Sequence, residues 1–216
     1  MSDGYPVTLY LSGKRVVVIG GGSVAERKIN KLLNAEAYLT VVSPRITPNM
    51  QTWVDEGRLA WKPKTFEPED VRGATLVFAA TDDANVNKHV VRATQADQFV
   101  CCVDNQAKST FTVPSTLERG RLRLSVSTSG ASPGLARQIK QALSERYDAS
   151  YEDYLDFLYE SRKRVQEQVT DQRVREAILK ALLDDEYLRL TKEKAYEERE
   201  ARFLALITHS AGTDVR

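Results

Sequence analysis

The sequence predicts an α/β fold, with a doubly wound parallel sheet first and a small all-helical domain last. Three observations carry the prediction. The run Val16-Val17-Val18-Ile19 meets Gly20-Gly21-Gly22 and passes straight into helix formers, the strand–turn–helix opening of a dinucleotide-binding unit. Apolar β-branched runs then alternate with amphipathic stretches as far as Asp104, as βαβ units do. From Tyr151 to Ile207 there is neither proline nor glycine, so nothing breaks a helical pattern.

Each element follows in order. Residues 5–11 alternate apolar and polar and read as an edge piece beside the fold's entrance. After a turn over residues 12–15 comes the first strand. Gly20 suits the tight turn out of it, Gly22 lets backbone approach a pyrophosphate, and Ala25 lets the helix lie close against the strand. Phosphates would sit at that helix's N-terminus, where free N–H groups and the dipole favour anions. The helix spans about residues 24–34, with Ile29, Leu32 and Leu33 on one face. Residues 38–43 form the second strand. Pro44 and Pro48 mark the loop before a short helix near 49–56 and a third strand near 59–62. Residues 75–81 are almost continuously apolar, as expected of a parallel strand covered on both faces. Asp82-Asp83-Ala84-Asn85 then caps a helix over about 86–96, and 99–104 form the fifth strand. Gly20, Ser43, Thr81 and Asp104 all end strands, so this Rossmann-type topology places them on one crest.

The pattern changes after Phe111. Residues 110–114 and 122–127 read as two further strands. Ser132 suits an N-cap and Pro133 the first helical position of a helix over 134–147. Within the tail, Leu155, Leu158 and Tyr159, then Ile178, Leu179, Leu182 and Leu183, mark apolar faces. Residues 208–216 are polar and expected to fray.

Composition sets limits. A length of 216 residues suggests one or two domains, and a net charge of +1 gives no reason to expect nucleic acid or a membrane surface. The N-terminus carries an acid and no long apolar run, so neither a signal peptide nor a transmembrane helix is expected. Cys101 and Cys102 are adjacent in a strand and point to opposite faces, which disfavours a bridge between them and fits a reducing cytoplasm. His89 and His209 have no metal-ligand company, so no metal site is assigned.

Four stretches together resemble the siroheme-synthase dehydrogenase family. They are Gly20 to Lys28 (GGGSVAERK), Ala79 to Asp83 (AATDD), Val103-Asp104-Asn105 with Phe111 and Pro114, and Ser127 to Pro133 (STSGASP) leading into Leu135-Ala136-Arg137. The resemblance implies oxidation of precorrin-2 to sirohydrochlorin with NAD+, with ferrous iron insertion in some members. It implies a homodimer built from an NAD-binding domain (residues 1–113), a dimerisation segment (114–147) and a helical domain (148–216). In longer relatives a methyltransferase domain follows, and this sequence ends before one. A separate enzyme is therefore expected to supply precorrin-2. Carried over by position, the dinucleotide contacts fall on Gly21, Gly22, Ser23, Val24, Ser43, Pro44 and Arg45, with Thr81 and Asp82 where the fourth strand meets the cofactor. Asp104 matches the family's functional aspartate. Thr128 stands where a serine is frequent.

The residues themselves leave several alternatives open. Asp104, at the end of a central strand, is the candidate general base, against a loop-capping role. Asp82 and Asp83 open a helix, where capping is the default. Ser43 replaces the acid that often binds an adenosine ribose, and Arg45 can accept a 2′-phosphate, so NAD against NADP is undecided by residues; the resemblance implies NAD. Precorrin-2 carries eight carboxylates, for which Arg119, Arg121, Arg137 and Lys140 are candidate partners, against dimer or solvent contacts. A dinucleotide-sensing module that binds NAD(H) without turnover fits the same core.

Overall fold

The fold is that of a computed structural model, which describes residues 4–211. Five strands, β1 (Arg15–Ile19), β2 (Tyr38–Val42), β3 (Ala60–Lys62), β4 (Leu76–Ala79) and β5 (Phe99–Cys102), form an all-parallel sheet in the order β3-β2-β1-β4-β5. β1 lies at the centre and is buried on both faces, which is why its sequence is apolar without alternation. Val16 and Val18 join one core with Ala25 and Ile29 of α1 (Ser23–Leu32) and Met50 of α2 (Pro48–Asp55). Val17 and Ile19 join the other with Val90 of α3 (Ala84–Ala93) and Val71 of a short 3₁₀ turn, Pro68–Val71. Each fully buried valine, isoleucine or methionine among them contributes roughly 1.5–3 kcal/mol relative to exposure. Cys101 and Cys102 fall in opposite cores, both as free thiols.

Two buried polar groups tie the sheet's periphery together. Gln98 Nε2 donates to the carbonyls of Val71 (2.6 Å) and Ala74 (2.8 Å), pinning the 3₁₀ turn to the start of β5. Asp70, 2% exposed, accepts from Lys62 Nζ (2.9 Å) and lies 3.0 Å from Lys64 Nζ. Burial pushes its carboxyl up, but the bonds from Lys62, the Glu67 amide and Lys64 outweigh that and hold it below the usual range.

Three expectations are corrected in this part of the chain. Residues 5–11 form no strand: Tyr5, Val7 and Tyr10 are exposed and Leu11 alone is buried, because β3 and β5 end the sheet and no ladder reaches the segment. α3 begins at Ala84 and stops at Ala93, earlier at both ends than expected, since Asp83 caps it and Thr94 turns extended. Residues 110–114 are not a strand. Thr110 instead bonds back to Val100 through both its N–H (2.8 Å) and its hydroxyl (2.8 Å), which saturates the β5 edge locally.

The chain divides after Val113 into two compact units, residues 1–113 and 114–216. The second opens with an antiparallel ribbon, β6 (Ser115–Arg119) and β7 (Leu122–Val126). α4 (Pro133–Arg146) packs on that ribbon, with Ser132 Oγ accepting from the Leu135 amide (3.1 Å) as its cap. Four further helices follow, α5 (Ser150–Gln168), α6 (Gln172–Ala181), α7 (Asp185–Lys192) and α8 (Tyr196–Ala211). Residues 208–211, expected to fray, belong to α8; residues 212–216 lie outside the described residues. The buried face of α5 is Tyr154, Phe157, Ser161 and Val165, whereas Tyr159 and Leu183, expected on apolar faces, are exposed. Aromatic packing decides that register: Phe157 stacks on Tyr187 at 5.7 Å and meets Phe203 edge-on at 5.9 Å.

The Tyr154 hydroxyl donates to the Leu182 carbonyl at 2.8 Å inside this core, where α6 ends. Tyr154→Phe leaves that carbonyl without its donor, at a cost of about 1–3 kcal/mol. Urea unfolding should show a lowered midpoint with an unchanged slope. An unchanged midpoint would mean that the bond contributes nothing to stability.

Candidate functional site

The C-terminal ends of β1, β2 and β4 frame one cavity of about 650 Å³. Every dinucleotide residue read from the sequence lines it: Gly20, Gly21, Gly22, Ser23, Val24, Ser43, Pro44, Arg45, Thr81 and Asp82. The glycines have separate jobs. Gly20 has φ +116°, and a Cβ there would lie 2.3 Å from the Ala80 carbonyl oxygen. At Gly21 a Cβ would lie 1.9 Å from the Arg45 carbonyl oxygen. The crest loops thus close on each other through the absence of side chains at these two positions. Gly22 differs: it is the N-cap of α1, supplies no side-chain cap, and nothing stands within 4 Å of its missing Cβ. The first-turn amides of α1 border the cavity, whose charged lining residues are Arg45 and Lys64 of one sign and Asp82 and Asp83 of the other. A pyrophosphate fits that chemistry.

Beside the cavity a buried asparagine joins two strand ends. Asn87, on α3 and 0% exposed, accepts from the Thr81 amide through Oδ1 (3.1 Å), which also lies 2.9 Å from Thr81 Oγ1. Its Nδ2 donates to the Thr81 carbonyl (3.0 Å) and to Asp104 Oδ2 (3.0 Å). The other carboxylate oxygen of Asp104 accepts from Cys102 Sγ at 2.9 Å. These two bonds, Asn87's first, hold the Asp104 carboxyl below the usual carboxylate range. Burial, and then the Asp104 carboxylate, push the Cys102 thiol up to about 11. Asp104 itself is exposed, one residue beyond Val103, which lines the cavity.

Sequence reasoning missed Asn87. Its signal was present, an amide at a position of α3 whose neighbours on the buried face are Val86 and Val90. Asp83 caps α3, accepting from the Asn85 amide at 2.7 Å, while Asp82 lines the cavity. Two of the cations expected to meet carboxylates are engaged elsewhere. Arg121 pairs with Asp156 (2.8 Å) and stacks over Tyr159 (3.7 Å), and Arg119 donates to the Tyr147 carbonyl (3.2 Å).

Fold and site together define a nicotinamide-dinucleotide-binding α/β protein that carries a second, largely helical unit. A family model described as "Putative NAD(P)-binding" matches residues 7–115, and one described as "SirC C-terminal domain" matches residues 151–195. The precorrin-2 dehydrogenase of Priestia megaterium is 36% identical over 193 residues, covering 89% of this chain and 96% of that protein. That of Bacillus subtilis is 33% identical, covering 74% of this chain and 98% of its own length. The siroheme synthase of Xylella fastidiosa is 33% identical over 97% of this chain, which spans 44% of that longer protein. A solved structure described as "SirC, precorrin-2 dehydrogenase" superposes with a TM-score of 0.80 at 34% identity, covering 92% of this chain and 100% of the other. This chain belongs to the precorrin-2 dehydrogenase family. No helix among the described residues is long and apolar enough to cross a membrane.

The glycine geometry separates folding from binding. Gly21→Ala drives a Cβ into backbone, so its thermal midpoint should fall clearly. Gly22→Val enters open space and should melt within about 1 kcal/mol of wild type, the scale of a changed cap, yet lose NADH binding in a fluorescence titration. Wild-type affinity in Gly22→Val would remove the phosphate-binding role of this turn.

Proposed function

We propose that this chain is a dehydrogenase that oxidises precorrin-2 to sirohydrochlorin with NAD+, acting as a cytoplasmic homodimer. One observation carries the reading. The dinucleotide cavity and an ionised carboxylate, Asp104, are coupled through a single buried residue, Asn87, in a chain that spans nearly the full length of two precorrin-2 dehydrogenases. NAD rather than NADP rests on those relatives, since Ser43 and Arg45 leave the ribose phosphate open.

The residues divide the work. Gly22 and the α1 amides hold the pyrophosphate, and Gly20 and Gly21 hold the loops that shape the space around it. Bound NAD+ supplies the hydride acceptor. Asp104 takes the proton that leaves the tetrapyrrole carbon framework, and its lowered pKa keeps it ionised well into mild acid. Asn87 acts through Asp104 and Thr81 as a positioning residue.

The dimer reading rests on the second unit. A two-stranded ribbon is marginal by itself, and α4 leaves Leu135 and Ile139, one turn apart, 48% and 39% exposed. A second copy seated on that region would cover both. Sedimentation at micromolar concentration should give a dimer, and a monomer would remove this part of the proposal.

Turnover is read by mixing protein, precorrin-2 and NAD+ and following NADH and sirohydrochlorin absorbance; added Fe2+ reads chelation in the same cuvette. NADH binding without turnover would instead make the chain a dinucleotide sensor. Asp104→Asn should cut the rate by ~10²-fold, the scale of a lost general base, with NAD+ affinity unchanged and stability lowered by about 1–3 kcal/mol at most, since one of its two accepted bonds is lost. A near wild-type rate would reduce Asp104 to a structural cap.

The pH dependence has a defined sign. Asn87 lowers the Asp104 pKa, so Asn87→Ala raises it, and the acid limb of kcat/KM should move to higher pH. An unmoved acid limb would show that Asn87 serves packing alone.

A further inference from the structure

A second cavity, of about 390 Å³, adjoins the first through the shared residues Val24 and Val103. One wall is α1, which presents Arg27, Lys28 and Lys31; the other is the end of β5 and the chain that follows it. Spacings of four (Arg27 to Lys31) and three (Lys28 to Lys31) bring these cations together on one helix face, where like charges repel. No acidic residue lines the cavity, and among the described residues none of the three cations pairs with a carboxylate. Several other cations are matched by carboxylates: Lys62 and Lys64 by Asp70, Arg121 by Asp156, Arg189 by Glu186, Arg202 by Glu198.

Helix energetics do not account for the arrangement. Lys31 stands in the last turn of α1, where the dipole favours a cation, but Arg27 and Lys28 stand in its middle and gain little from it. Lys28 Nζ lies over the Phe78 ring, 5.9 Å from its centroid, so it has an aromatic face but no carboxylate partner. Three cations without a carboxylate partner line a concave, acid-free wall, the chemistry of an anion site.

We propose that this cavity is a carboxylate-binding subsite, in which Arg27, Lys28 and Lys31 seat acidic side arms of the tetrapyrrole. The assignment rests on the substrate class proposed above. The volume suits side arms, not a macrocycle, so the ring lies outside, toward the crest that carries Asp104. Arg27 supplies a planar fork that matches a carboxylate, and the lysines supply point charges that tolerate several arm positions. Arg119 and Arg121, engaged within their own unit, are replaced in this role by the α1 cations.

The test uses Arg27→Gln/Lys31→Gln, both on exposed positions of α1. Its control is Lys88→Gln/Arg92→Gln on α3, which removes equal charge from the helix that packs on the opposite core. Each protein is titrated with uroporphyrin III, an octacarboxylate, and coproporphyrin III, a tetracarboxylate, by porphyrin fluorescence, and with NADH. KM and kcat for precorrin-2 are then measured. Loss of two charge-assisted contacts should weaken uroporphyrin binding and raise the KM for precorrin-2 by about tenfold or more. The kcat and the NADH affinity should stay within about twofold, the control should match wild type, and the preference for uroporphyrin over coproporphyrin should shrink. Uroporphyrin binding and KM unchanged in the α1 variant overturn the subsite, as does an equal loss in the control or a wild type that binds no octacarboxylate. A wild type that forms no NADH, yet binds uroporphyrin through the α1 cations, overturns the proposed turnover and leaves the subsite standing.

Discussion

Everything at the crest depends on a contact between main chains. At Gly20 and Gly21 the turn after β1 meets the carbonyls of Ala80 and Arg45, close enough that a methyl group has no place at either position. These carbonyls belong to the loops after β4 and β2, the two neighbours of β1 in the sheet. Strand order therefore reverses where the three loops are held together, the place where open α/β sheets form ligand crevices. Ser43, Arg45 and Thr81 face one space because two side chains are missing. A mild-looking change there displaces whole loops, since main chain cannot rotate out of the way as a side-chain end can.

Asn87 extends the same constraint to a fourth strand. Four short contacts use both ends of one amide, so it fixes the Thr81 main chain and the Asp104 carboxylate at once. In a dry position such a network has little slack, because an unpaired amide costs more than a made bond returns. Gln98 and Asp70 repeat the device away from the site, using one buried polar group to anchor the segment between β3 and β4. The sheet supplies stiffness through apolar packing, and its irregular connections are held by single polar residues.

What the sequence made legible follows from range. β1 and β4 were readable because burial on both faces leaves unbroken apolar runs, and α1 because its periodicity is local. The crest residues followed from strand ends plus one topological rule. Interactions that join distant positions were not readable. Asn87 reaches Asp104 across 17 positions and Arg121 reaches Asp156 across 35, and no local pattern encodes either. The alternation in residues 5–11 misled because a strand is a relation between two segments, and the partner is missing. On α5 Tyr159 misled, because aromatic neighbours from α7 and α8 claim the face of Tyr154 and Phe157 while Leu158 packs beside it. Arg27 and Lys28 close the glycine-turn motif, whose pattern points to phosphate, and Lys31 lies one turn beyond it.

The Cys102–Asp104 bond has a meaning for oxidative chemistry. With its thiol held up at about 11, first by burial and then by the Asp104 carboxylate, Cys102 stays a thiol at neutral pH. Peroxide, alkylating agents and electron-poor aromatic rings all react with thiolate rather than thiol. A protonated sulfur beside a redox crest is therefore a bystander: it neither forms a sulfenic acid readily nor adds to an electrophilic ring nearby. The carboxylate next to it acts as an electrostatic inhibitor of sulfur chemistry, and any change that neutralises Asp104 also makes Cys102 more reactive.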